Sequence, residues 1–199
     1  MTNPHAVLEA AVLAARQVGI LARRLQGQVR DEGKQVDLTD TKGDDFLIRQ
    51  KEAKTAVDEI AQDLIITAML PHLDIANTVL DGEEETPGKA LLPATEGEYV
   101  LVLDPIDGTL IYLDGGDTYA VNIGLFKNGA VVLAMLYYPA LDVCYYTLGN
   151  GVFRAPDFAM HGLAKQHEVF FAAQPDNPKA VFLYYGIADE VQDELIAAG

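Results

Sequence analysis

Asp104-Pro105-Ile106-Asp107-Gly108-Thr109 closes a short apolar run at residues 99–104, and the rest of the chain is read outward from it. The proline fixes one backbone angle, so the turn presents two carboxylates with the Ile106 carbonyl oxygen between them. These are hard oxygen donors, which magnesium prefers while keeping several of its waters. Gly108 permits close backbone approach, and amides at a helix start or nest attract an anion, so Gly108 and Thr109 suit a phosphate. Two other acidic positions fall where the chain changes direction: Asp58 at the start of a helix, and Glu83-Glu84-Glu85 after a strand. Glu83, solvent and a substrate phosphate would complete a magnesium shell, and two or more ions would share the carboxylates. A water held by magnesium and hydrogen-bonded to Thr109, with Asp58 behind it, would be placed for in-line attack on phosphorus.

Each of these features also has a plainer reading. Asp-Pro-x-Asp-Gly occurs in ordinary turns, and the run from Glu83 to Glu85 reads equally as a solvated loop. Thr55-x-x-Asp58 fits a capping box, in which Asp58 only satisfies the first amides of a helix. His5, His72, His161 and His167 have no ligand spacing, and the tyrosine pairs at 137–138, 145–146 and 184–185 alternate across strands as packing residues.

Outward from the turn, the periodicity predicts a helix over residues 4–27. Asn3 is its N-cap, Pro4 its first residue, and Val7, Leu8, Ala11, Val12, Ala15, Val18 and Leu25 its apolar stripe. Residues 31–50 are polar, broken by Gly33 and Gly43, and compatible with either a loose hairpin or a loop. A second helix is expected over 56–70, burying Ile60, Leu64, Ile65 and Ala68 and stopped by Pro71. Residues 76–81, 99–104, 118–126, 130–138 and 142–147 read as strands, with turns at Lys127-Asn128-Gly129-Ala130 and Gly149-Asn150-Gly151. Residues 180–185 read as a further strand and 188–198 as a helix. The fold class is α+β, two long helices against a mostly antiparallel sheet. Residues 1–165 form the metal- and phosphate-binding domain, and 166–199 start a second α/β domain that breaks off.

The 199 residues are 50% hydrophobic, enough for one large domain. Thirty acidic against 14 basic residues give a formal charge of −16, which opposes nucleic acid and anionic membrane as partners. The same charge repels a phosphorylated substrate unless divalent cations invert the local potential, so a phosphate site here demands metal. Cys144 stands alone in an apolar stretch, which excludes a disulfide framework within the chain. Glu9, Arg16 and Arg23 interrupt the first apolar segment, so neither a signal peptide nor a membrane span is expected, and a cytoplasmic protein is.

Taken together the motifs resemble the inositol monophosphatase group of magnesium-dependent, lithium-sensitive sugar phosphatases. Thr-Ala-Val-Asp at 55–58, Asp-Gly-Glu-Glu at 81–84 and the turn at 104–109 follow in order. Tyr119-Ala120-Val121-Asn122-Ile123 resembles the family's aromatic-Ala-Val-Ser-Ile strand, and a Gly-Asn-Gly-Val-Phe turn follows it. The resemblance implies Glu83, Asp104, the Ile106 carbonyl and Asp107 as ligands of two or three magnesium ions per complete site. It implies Asp58, Thr109 and Glu83 as catalytic residues, and Asp107 with the Gly108 and Thr109 amides as phosphate contacts. Glu84 is a weaker candidate. It further implies the N-terminal part of a layered α/β/α/β/α sandwich, a homodimer and a small phosphorylated substrate. An inositol-1-phosphate-like polyol or sugar phosphate comes first; fructose 1,6-bisphosphate or a 3′-phosphoadenosine nucleotide is the alternative.

The chain also departs from the family's pattern. The family's last ligand is an aspartate in a Trp-Asp element, and this sequence has no tryptophan. Ile111-Tyr112 stands where the family commonly has Asn-Phe, which leaves substrate choice open. The chain is therefore expected to be a piece of a longer enzyme, since it stops after a strand-helix unit. A metal- or phosphate-binding module without catalysis is the rival reading.

Overall fold

The computed structural model describes residues 3–32 and 55–169. Within them α1 runs Pro4–Leu25 and α2 Ala56–Met69. Seven strands follow: β1 Thr78–Gly82, β2 Tyr99–Asp107, β3 Ala120–Lys127, β4 Ala130–Tyr138, β5 Val143–Thr147, β6 Phe153–Pro156 and β7 His167–Glu168. Two short helices intervene, α3 Thr109–Leu113 between β2 and β3, and α4 Phe158–His161 after β6. The strands lie side by side in chain order. β1 pairs parallel with β2, and every later pair is antiparallel. The α+β class therefore holds, with two long helices against a mostly antiparallel sheet. The strand and helix expected at 180–185 and 188–198, the tyrosines at 184–185 and nearly all of the 31–50 segment lie outside the described residues.

Asn3 caps α1 through Oδ1, which accepts from the His5 amide at 3.1 Å, and Pro4 occupies the first turn. The buried stripe of α1 packs on α2, β3 and β4. By length and composition α1 would pass for a membrane span despite the charges at Glu9, Arg16 and Arg23. Here its apolar stripe forms the protein core instead. Gly19 lets the helix approach the sheet, because a Cβ there would collide with the Tyr137 ring.

The buried face of α2 differs from the expected one. Ile60 is 48% exposed, and Leu64 and Ala68 are only partly buried. The inner face carries Val57, Asp58, Ala61, Gln62, Ile65, Ile66 and Met69. Treating the polar residues as solvent-facing turned the predicted stripe away from the core; two of them, at i and i+4, are buried because each meets hydrogen-bond partners there.

β2 continues to Asp107, three residues past the expected end. Asp104 stands opposite Asn122 and Asp107 opposite Ala120, so β2 spends one more residue than β3 over this stretch, a β-bulge. Alternation alone would send residues 104 and 107 to opposite faces. The bulge restores the phase: Leu103, Pro105 and Ile106 are buried, while Asp104 and Asp107 are both half-buried, with Val100 and Val102. The tyrosine pairs alternate as expected, Tyr137 and Tyr146 inward and Tyr138 and Tyr145 half-buried. Cys144 is fully buried and burial pushes its thiol pKa up. It should resist a disulfide exchange reagent in the native protein and react at once in denaturant; rapid native labelling would contradict this packing.

Candidate metal and phosphate site

The parallel pair β1 and β2 brings two acidic segments to one end of the sheet. Gly82 is paired with Leu103, and the ladder continues one step as the Glu83 amide donates to Leu103 O at 3.1 Å. The backbone of Glu83 thus lies beside the step from Leu103 to Asp104. Glu83 is exposed, whereas Glu84 is 2% exposed.

α2 supplies the third component. Asp58 is fully buried, and its two carboxylate oxygens have different tasks. Oδ2 accepts from the Thr55 amide at 2.9 Å and the Thr55 hydroxyl at 2.6 Å, closing the capping box. Oδ1 accepts from the Thr109 hydroxyl at 3.1 Å, across 51 residues of sequence. The capping and catalytic readings of Asp58 are thus compatible in one side chain. Burial raises the Asp58 pKa above the ordinary aspartate value, the Thr55 and Thr109 hydrogen bonds oppose it, and the nearby Glu84 carboxylate adds to the rise. The Thr109 hydroxyl also lies 3.0 Å from Ile106 O, so its single hydrogen chooses between that carbonyl and Asp58. A group occupying Ile106 O would direct the hydrogen to Asp58 and leave the Thr109 oxygen to accept from a water.

Gly108 has φ 84°, a left-handed conformation that a side chain would strain, and it opens α3. The first internal bond there runs from the Tyr112 amide to Gly108 O, beyond the Thr109 amide. Tyr112 is fully buried, stacked edge-on against Tyr119 and bonded through its hydroxyl to Ala22 O at 3.0 Å, which fixes α3 to α1.

Two residues that the sequence reading left aside belong here. Asn122, cross-strand from Asp104, donates from Nδ2 to Asp107 Oδ2 at 3.0 Å. Its Oδ1 is buried with no hydrogen-bond partner. Gln62 lies one helical turn after Asp58 and holds the loop that carries Glu83 and Glu84. A polar residue four positions after Asp58 was the available signal.

Among the described residues, no three acidic, imidazole or thiol side chains are drawn close enough together to hold a metal ion. In donor type and backbone placement the residues do fit a hard cation: carboxylates at 83, 104 and 107, the Ile106 carbonyl, and an unpaired amide oxygen at Asn122. Among the described residues, Asp104 and Asn122 lie at an otherwise apolar groove of about 440 Å³ whose lining has no lysine or arginine.

A mixed sheet backed by two long helices, with carboxylates set at the ends of β1 and β2, makes this an α+β domain. The sequence model of the inositol monophosphatase family matches residues 3–167, and the chain belongs to that family. It is 25% identical over 146 residues to a fructose-1,6-bisphosphatase/inositol-1-monophosphatase of Aquifex aeolicus, covering 73% of this chain and 48% of that protein. It is 31% identical over 102 residues to the 3′(2′),5′-bisphosphate nucleotidase CysQ of Salmonella typhimurium, covering 51% and 40%. The crystal structure of CysQ from Bacteroides thetaiotaomicron superposes with a TM-score of 0.63 at 19% identity, covering 96% of this chain and 67% of that one, a likeness of fold. The chain spans about half or less of the length of the curated relatives it matches.

Proposed function

We propose that this chain supplies the metal- and phosphate-binding part of a magnesium-dependent phosphate monoesterase that acts on a small polyol or sugar phosphate. The observation that carries the reading is the hydrogen bond from Thr109 to buried Asp58, set beside two carboxylates that the bulge turns to one face. Glu83, Asp104, the Ile106 carbonyl and Asp107 are the residues that would hold magnesium. Bound magnesium supplies Lewis acidity to the phosphate and to the attacking water. The chain's own residues do the rest. Thr109 Oγ accepts a hydrogen bond from that water and passes its own hydrogen toward Asp58 Oδ1, so a carboxylate receives the proton as the P–O bond to water forms. The Gly108 and Thr109 amides face the phosphate oxygens. The ester P–O bond breaks, and the leaving alkoxide takes a proton from solvent, giving inorganic phosphate and an alcohol.

Phosphate release from inositol 1-phosphate, fructose 1,6-bisphosphate and 3′-phosphoadenosine 5′-phosphate tests this reading. Each ester is assayed with magnesium, using this chain and, where its reading frame runs on past Gly199, the longer protein it encodes. The reading requires release by the longer protein and its loss in Asp104→Asn; inactivity of the longer protein, or an active Asp104→Asn, would sink it. The similarity to a bisphosphate nucleotidase favours the third ester as the second choice. Magnesium separates these readings from a merely acidic turn. Binding to the native state alone contributes about 2.7 kcal/mol at a hundredfold excess over Kd, so the melting temperature should rise by several degrees at millimolar magnesium. An unchanged transition would remove the metal from the proposal.

A further inference from the structure

We propose that Gln62 is a positioning residue for the magnesium site, an inference that rests on the proposed metal role of Glu83. Gln62 is fully buried in α2, where an unpaired amide would be costly, and both ends of its amide are used on one loop. Its Oε1 accepts from the Glu84 amide at 2.9 Å. Its Nε2 donates to Glu84 O at 2.6 Å and to the Thr86 hydroxyl at 3.1 Å.

The side chain thus mimics a neighbouring strand. It closes a two-bond ring with a single residue, Glu84, and so holds the peptides on both sides of that residue, the first of which directly follows Glu83. On the other side of the loop the Glu83 amide is already pinned to Leu103 O at 3.1 Å. Glu83 is therefore held between two fixed peptides, although its side chain is exposed. Close approach at this point is built into the sequence, since a methyl group on Gly82 would come within 2.7 Å of Gln62 Oε1.

α2 carries both controls on the site. Asp58 reaches Thr109, beyond β2, while Gln62, four residues further along the same helix, reaches the loop beyond β1. One rigid element sets the distance between the segments that carry Glu83 and Thr109. Loss of a group that orients a metal ligand without touching the ion costs about 10- to 100-fold in metal affinity or activity, and the Gln62 side chain hydrogen-bonds the Glu83 loop but neither Asp58 nor Thr109. Gln62 should therefore set magnesium affinity and leave the Asp58–Thr109 step nearly intact.

The test is magnesium binding by titration calorimetry, together with kcat at saturating magnesium. It uses the full chain and the longer protein, in wild type, Gln62→Met and Ile65→Ala. Methionine keeps the volume and removes all three hydrogen bonds, and Ile65→Ala destabilises the same helix away from the loop. Gln62→Met is expected to weaken magnesium about 10- to 100-fold, with kcat at saturation within about threefold of wild type. Ile65→Ala is expected to bind magnesium as wild type does. Equal affinity in Gln62→Met and wild type, or an equal loss in both variants, overturns the inference and leaves the metal reading standing. Absence of magnesium binding by wild type overturns both together. If Gln62→Met does not fold, Thr86→Val decides the matter, because it removes one of the three bonds without touching the helix. A loss of up to about fivefold, the worth of one ordinary hydrogen bond, supports the role, and no change refutes it.

Discussion

Asp58→Asn is expected to lower kcat of the longer protein by about 10²- to 10⁴-fold, the range ascribed to a positioned proton acceptor. The substitution is nearly isosteric and keeps an oxygen for the Thr55 amide, now 2.9 Å from Oδ2, so α2 retains its cap. What it removes is the negative charge that receives the Thr109 hydrogen at 3.1 Å. Thr109→Val should reproduce the loss from the other side of the bond, and the double variant should be little worse than either single one, because the two act as a unit. Additive losses would mean that the pair does not share one step. Stability gives an independent check. The folded carboxyl is held above its ordinary pKa by burial, so the folded state binds more protons than the unfolded chain. That contribution is fully present below the unfolded value and disappears as the pH rises through the folded one. Relative to wild type, Asp58→Asn should therefore gain stability as the pH is raised from the acid range to neutrality, even as activity vanishes. A difference curve of the opposite slope would contradict the burial argument.

The largest effect on the fold is expected at Tyr137. Tyr137→Ala should cost about 3–5 kcal/mol in urea unfolding, the usual range for emptying a buried aromatic position. Its ring is fully buried, lies 4.6 Å from the Phe158 ring and fills the notch that Gly19 leaves on α1. Its hydroxyl donates to Asp142 Oδ1 at 3.2 Å, an oxygen that also accepts from the Ala159 amide at 2.6 Å. Tyr137 therefore joins α1, the turn between β4 and β5, and α4. Tyr137→Phe isolates the hydroxyl and should cost about 1 kcal/mol. Gly19→Ala tests the same contact from the helix and should cost about 1–3 kcal/mol by overpacking. A small loss in Tyr137→Ala would mean that α1 is not seated on β4 as described.

Most of the scaffold was legible because periodicity reports burial directly. The cap at Asn3, the two helices, the strands from β2 to β5 and the inward tyrosines follow from local pattern and turn chemistry. The missed features depend on pairing across the chain. The pairing of Asp58 with Thr109 was expected, but not that Asp58 is buried, nor that Gln62 is buried against the Glu84 peptide. No periodicity encodes that. The sequence also could not say which glutamate of the 83–85 run turns inward, since neighbouring positions in a loop differ by a rotation set elsewhere; here it is Glu84. Asn122 read as a strand residue, and its bond to Asp107 required the strand register. The turn at 104–109 was recognised by composition, yet its conformation was misjudged: it is the bulged end of a strand rather than a turn after one.

That bulge lets two residues, rather than one, stand between two carboxylates on one face. Loss of a single residue at position 105 or 106 would return β2 to strict alternation and leave two steps between the carboxylates, so Asp104 and Asp107 would still share a face. In a lineage of such proteins, a deletion here removes one backbone carbonyl from between the carboxylates and spares their common orientation.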